Sequence, residues 1–175
     1  DETLKRKTLD LLYKMTNAKN VVFITSKLVQ HLRVSSDEFL RQELVSRITE
    51  LAERFSPNNE WYVKTLNTIF LVAGDLVNLN VAHNLMQLIA VGTGENEKVN
   101  QELRLYAVNS YLKLMDRRVL RDILVQTMAW VVGEYGYLTR NTTSEDIVER
   151  LCEIVERQFS LEDTRGYVIT AILKL

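Results

Sequence analysis

Leu44, Ile48, Leu51 and Phe55 step along the chain by four, three and four residues, and Tyr62, Leu66, Ile69 and Ala73 repeat the rhythm. This spacing gathers apolar side chains on one stripe of an α-helix but would scatter them over both faces of a strand. The pattern recurs almost everywhere, and no segment alternates convincingly with the period of two expected of a half-buried strand. The chain is therefore predicted to be all-α. One proline and six glycines punctuate 175 residues, and most of the glycines fall where a helix should stop.

Helix entries are marked as well. Ser35-Ser36-Asp37-Glu38 reads as a capping box, and Thr143-Ser144-Glu145-Asp146 and Ser160-Leu161-Glu162-Asp163 are similar acidic starts. Ser56-Pro57 suggests a capping hydroxyl before a proline at the first helical position. Helices are expected near 3–16, 19–34, 36–55, 57–73, 80–91, 98–115, 118–135, 144–158 and 162–175. Taken in pairs, their first members are spaced irregularly around 40 residues, close to the roughly 40–47 of HEAT and armadillo repeats. The predicted architecture is an α-solenoid of about nine helices in stacked antiparallel pairs, with each pair burying its apolar face on the next. A compact bundle is the competing reading, because it shares amphipathic helices and short turns.

Composition narrows function. With 22 basic against 23 acidic residues there is no broad basic field for nucleic acid. One cysteine, Cys152, and two histidines, His31 and His83, exclude an internal disulfide and argue against a zinc site, and an intracellular setting is expected. Apolar runs such as Ile69 to Ala73 are far shorter than the roughly 20 residues that span a bilayer, so a soluble chain is expected. The sequence starts at Asp1 and ends at Leu175 inside an apolar helical pattern, which suggests a piece of a longer protein cut at both ends.

No catalytic set assembles from these residues. The acidic pairs Asp37/Glu38, Glu145/Asp146 and Glu149/Glu153 lie in first helical turns or on a solvated face. Gly92-Thr93-Gly94 lacks the strand and the Gly-Lys-Ser/Thr of a phosphate loop. Cys152 falls among Val148, Leu151 and Val155 and reads as core filler. Arg117, Arg118 and Arg121 cluster where a helix is expected to begin, against the preference of the helix dipole. They are a candidate contact for an anionic partner, with an ordinary solvated turn as the alternative.

The stretch MAWVVGEYGYL, residues 128–138, sets two glycines into an apolar helix, at about 0.8–1 kcal/mol each relative to alanine. On a helical projection Leu120, Leu124, Met128, Val131 and Tyr135 form the large apolar stripe. Ala129, Gly133 and Gly136 form a separate small-residue groove that a neighbouring backbone can approach. Trp130, Glu134 and Tyr137 share a third face, where Glu134 is placed to accept a hydrogen bond from a helix end, the indole or the phenol. Packing explains the motif; a helical enzyme domain using Glu134 with Tyr135 or Tyr137 is the alternative.

WVVGEYGYL strongly resembles the Trp-x-x-Gly-Glu-Tyr segment of the large adaptins, the trunk-forming chains of adaptor protein complexes. LKRKTLDLLYKMTNAKNV at 4–21, ITELAERFSPNNEWYVKTLNTIFLVAGD at 48–75 and LRLYAVNSYLKLMD at 103–116 are similar to successive parts of that trunk, so the resemblance spans nearly the whole chain. Thr16-Asn17-Ala18 and the Leu103–Leu114 stretch are closer to the epsilon branch, of the fourth adaptor complex, than to alpha or gamma chains. The resemblance implies a curved α-solenoid trunk segment, residues 1–175, that is a scaffold and not an enzyme and carries no cofactor or small-molecule substrate. Implied partners are a beta-type large chain, a medium mu chain and a small sigma chain, in a complex that sorts cargo for vesicle-mediated transport. Implied too is a cytoplasmic complex peripheral on trans-Golgi network or endosomal membranes. An unrelated HEAT or armadillo scaffold, such as a transport receptor or phosphatase scaffold, is the other reading.

Overall fold

The computed structural model describes residues 2–94 and 96–175. Among these residues there are nine α-helices and no strand: α1 (Glu2–Met15), α2 (Val21–Val34), α3 (Glu38–Phe55), α4 (Asn59–Ala73), α5 (Leu79–Val91), α6 (Glu97–Leu114), α7 (Asp122–Tyr135), α8 (Ser144–Val155) and α9 (Asp163–Lys174). Short 3₁₀ turns, Gly74–Leu76 and Gly136–Leu138, follow α4 and α7. The helices divide into two compact units, the first ending at Val77 and the second beginning at Asn78.

In the first unit α2 packs on α3 and α3 on α4, through short connections that make antiparallel hairpins. Leu28, Leu32, Leu44, Ile48, Leu51, Leu66, Ile69 and Phe70 form its fully buried core. Substantial contacts run from α1 to α2 and α3, and from α2 to α3 and α4, but not from α1 to α4. A closed four-helix bundle would bring its first and last helices together, whereas contact only with neighbours one or two along the chain is the solenoid pattern.

The second unit repeats the rule with α7 at its centre, packed on α5, α6 and α9, while α8 packs on α9. Residues Ile123 to Ala129 are buried without interruption, so α7 is enclosed on every side over its first two turns. This explains why apolar residues dominate its sequence, with only Gln126 and Thr127 polar in that stretch. The all-α, solenoid-type class expected from helix spacing holds in both units.

Helix starts are fixed by side-chain oxygens. Asp37 accepts from the Leu40 N–H at 3.0 Å, Asn78 from Asn80 at 2.9 Å, Asn96 from Val99 at 2.9 Å and Thr143 from Asp146 at 3.1 Å. The expected Ser56-Pro57 cap is corrected. Asn58 caps α4, its Oδ1 accepting from the Trp61 N–H at 2.8 Å, and Ser56 closes α3 instead. α7 likewise begins at Asp122 rather than near 118, and α9 starts without a side-chain cap of its own at Glu162.

Helix ends use one device repeatedly: an arginine from a neighbouring helix donates to the last carbonyls of another. Arg41 of α3 donates to Leu32 and Ser35 at the end of α2 and to Val72 at the end of α4. Arg104 of α6 closes α5 through Ile89 (3.1 Å) and Ala90 (2.6 Å), Arg150 of α8 closes α6 through Leu112, and Arg165 of α9 closes α8 through Val155.

Candidate functional site

The two glycines of the WVVGEYGYL stretch lie where α7 meets α9. A Cβ built on Gly133 would stand 2.9 Å from the Cα of Ala171 and 3.0 Å from its Cβ, so the two backbones approach closely there. Real Cβ atoms essentially never sit that near a backbone carbon, which is a physical reason for glycine. Ala129, one turn earlier on α7, is completely buried. At Gly136 a Cβ would meet the Leu175 Cδ2 at 2.9 Å, the far end of a flexible side chain. Its φ of −56° is right-handed, so the left-handed helix ending that a glycine there invites is not used.

The faces around this contact sort as follows. Leu124, Met128 and Val131 are buried, whereas Leu120 precedes the helix and is half-buried. Tyr135 lies edge-on to Trp130, with ring centroids 6.1 Å apart, and the Arg104 guanidinium stands 5.1 Å from its ring centre. Glu134 takes neither the indole nor the phenol as its partner: its carboxylate pairs with the Lys174 ammonium of α9. Tyr137 is 69% exposed. Glu134 is thus a bridge between two helices.

A polar network that sequence reasoning missed holds the start of α9. Asp122, the first residue of α7, accepts from the Ser160 N–H at 3.2 Å, the Leu161 N–H at 2.8 Å and the Thr164 hydroxyl at 2.7 Å. The buried Gln126 amide donates to the same Thr164 oxygen at 3.0 Å. Asp122 does the work of the missing cap, from 38 to 42 residues away in sequence. Ser160-Leu161-Glu162-Asp163 announces a helix entry correctly, but nothing within it names the carboxylate that completes it.

Other expectations are displaced. Arg117 and Arg118 are exposed in the α6–α7 connection and Arg121 is half-buried just before Asp122, so the three do not occupy a first helical turn. The Arg117 carbonyl accepts from Arg157 at 3.0 Å, fixing the connection to the start of the α8–α9 link. Cys152 is exposed rather than core filler, because α8 buries Ile147, Leu151 and Ile154. Among the described residues no group of three or more metal-ligating side chains is present, and no helix is long and apolar enough to cross a membrane.

An elongated cavity of about 470 Å³ opens beside the glycine contact, between Ala129, Trp130 and Gly133 of α7 and the Asp163–Lys174 face of α9.

A model of the adaptin N-terminal region matches residues 1–175. The chain belongs to the adaptin N-terminal family. This adaptin is 42% identical to "AP-4 complex subunit epsilon" of Arabidopsis thaliana and 38% identical to "AP-4 complex subunit epsilon-1" of Homo sapiens, in each case over 100% of the chain. The "AP-2 complex subunit alpha" of Schizosaccharomyces pombe is 27% identical over 100% of the chain and 19% of the relative. The adaptin chain spans only 19% of the Arabidopsis relative and 16% of the human one.

Proposed function

We propose that this adaptin chain is a trunk segment of an epsilon-type large chain, acting as a non-enzymatic scaffold for assembly of an adaptor complex. The observation that carries the reading is 38–42% identity to the Arabidopsis and human epsilon relatives across 100% of the chain, against 33% for a gamma-like relative and 27% for an alpha relative. The structure is compatible with it, since helices that contact only near neighbours leave long lateral faces for other chains. The segment contributes to a longer trunk that joins a beta-type large chain, a medium mu chain and a small sigma chain. The complex then gathers cargo for vesicle-mediated transport, peripherally on trans-Golgi network or endosomal membranes.

Co-expression of the full-length trunk with the sigma and beta-type chains of each adaptor class tests the proposal. The expected result is a stable complex with the fourth class and weaker or no association with the others. A trunk that stays monomeric beside all four classes overturns it. Imaging of the tagged full-length chain against trans-Golgi and endosomal markers tests the location separately.

A further inference from the structure

Away from the glycine contact, a cleft of about 320 Å³ lies between the end of α6 and the loop that leads into α8. Asn109 and Lys113 of α6, Thr142 of the loop and Arg150 of α8 line it. The loop orients the asparagine. The Thr139 hydroxyl accepts from the Asn141 N–H at 3.4 Å and donates to the Asn109 Oδ1 at 3.1 Å, so the Asn109 NH2 is the edge left free. Arg150 uses one nitrogen, Nη2, for the Leu112 carbonyl and for Asp116 at 2.7 Å, which leaves Nη1 and Nε. Among the described residues these donors and the Lys113 ammonium have no protein acceptor, and none of them is sealed from solvent.

The cleft therefore offers donors in excess. Asp116, the one carboxylate among its described lining residues, and the Leu112 carbonyl at the negative end of α6 are both answered by Arg150, and Lys113 adds a second cation. Arg117 and Arg118, the next two residues after Asp116, are exposed, form no ion pair among the described residues and add to the local positive potential. From this geometry we infer that the cleft is an oxyanion site, taking a phosphate or carboxylate group carried on a side chain of a partner protein. Arginine and lysine donors, with a neutral amide to fix orientation, are the chemistry that recognises phosphorylated and acidic segments. A volume near the lower end of ligand pockets fits one such group with its flanking atoms. A membrane surface fits less well, because α8 exposes Glu145, Asp146 and Glu149 just beyond Thr142, and these repel a continuous sheet of anionic headgroups. A single charged side chain meets the cleft alone.

The probe is a short fluorescein-labelled glycine and serine peptide with one central phosphoserine, mixed with the full-length chain; the same peptide with glutamate or plain serine at that position is the control. Anisotropy is expected to show the phosphoserine peptide bound below about 1 mM, the glutamate peptide bound more weakly and the serine peptide not bound. Lys113→Glu, at an exposed position, is expected to weaken phosphoserine binding by at least about tenfold with an unchanged thermal midpoint, and Lys113→Arg to retain it. Lys64→Glu, at an exposed position of α4, makes the same change in net charge and is expected to leave binding unaltered. No phosphoserine-peptide binding, equally tight binding of the serine peptide, indifference to Lys113→Glu, or equal weakening by Lys64→Glu each overturns the assignment. So does Lys113-dependent sedimentation with phosphatidylcholine–phosphatidylserine vesicles in the absence of peptide binding, which gives the cleft to lipid headgroups. Because the titration needs no other subunit, its failure is distinguishable from a failure to assemble an adaptor complex.

Discussion

The two units are built from the same kind of helix but are joined differently. In the first, α1 attaches to α3 through exposed charge: Arg6 pairs with Asp37 at 2.9 Å, and Arg47 bridges Asp10 at 3.0 Å while lying 4.9 Å from the Tyr13 ring centre. In the second, α7 and α9 meet backbone to backbone at Gly133 and Ala171 and share the buried Gln126–Thr164 bond. Surface pairs of the first kind contribute little individually and weaken with salt. Close backbone approach tolerates almost no change in volume. The contrast teaches where each unit is vulnerable: the first to solvent conditions, the second to a single added carbon.

Gly133→Leu is expected to have the largest effect, a loss of about 1–3 kcal/mol or more from overpacking against Ala171. Gly133→Ala should also lower the urea midpoint, because the clash is with the Cα of Ala171 and the helix-propensity gain of about 0.8–1 kcal/mol does not offset it. A midpoint that rises steadily from glycine through alanine to leucine would break the comparison. Arg104→Ala follows. It strips the Ile89 and Ala90 carbonyls of a charged donor whose side chain is only 12% exposed, at about 1.5–3 kcal/mol. Arg104→Lys should recover little, since one ammonium cannot reproduce the fork that reaches both carbonyls and Glu97. Arg41→Ala is the matched test in the first unit, and a similar loss there would show that arginine closure, unlike the other joints, is common to both.

The same residues show what was legible. Helix number and placement follow from apolar spacing, which depends only on neighbours three or four residues away. The small-residue face of α7 was legible for the same reason, although its counterpart Ala171 was not. Asp122 could not be linked to Ser160 and Thr164, because a side chain and its partner some 40 residues on leave no mutual trace in one sequence. The arginine closures did leave a signal. Arg41 and Arg165 sit in early turns of α3 and α9, where the dipole disfavours a cation, so each position points to acceptors supplied by another helix. Arg117, Arg118 and Arg121 carry no such signal, because α7 begins at Asp122 and all three precede it. Cys152 misled differently: flanked by Leu151 on a strongly amphipathic helix, it lies just past the edge of the buried stripe.

Two smaller effects sharpen the contrast. Gly166→Ala, with open space around the new Cβ, should stabilise by about 0.5–1 kcal/mol, opposite in sign to Gly133→Ala in the facing helix. Acid should act mainly on exposed carboxylates. The Leu40 N–H, and then Arg6, hold Asp37 below its ordinary 3.8, and Lys14 with Arg47 does the same for Asp10. A lowered folded pKa contributes stability that is present above the ordinary value and is lost as pH falls through the folded one. Urea midpoints should therefore fall as pH drops below about 4, and Asp37→Asn should flatten that fall. Glu97, held down first by Gln101 and then by Arg104, gives the second unit a dependence of the same sign.

The reach of Asp122 has a further consequence, in the order of events during synthesis. Arg104 finds the end of α5 within 14 or 15 residues, so that joint can close almost as soon as its helix leaves the ribosome. The Asp122 carboxylate must wait for Ser160, Leu161 and Thr164. At about 5–20 residues per second, that interval is roughly 2–8 seconds. For that time α7, enclosed on every side in the finished fold, stands with its α9 wall missing, a window in which a chaperone has the best access to the nascent chain.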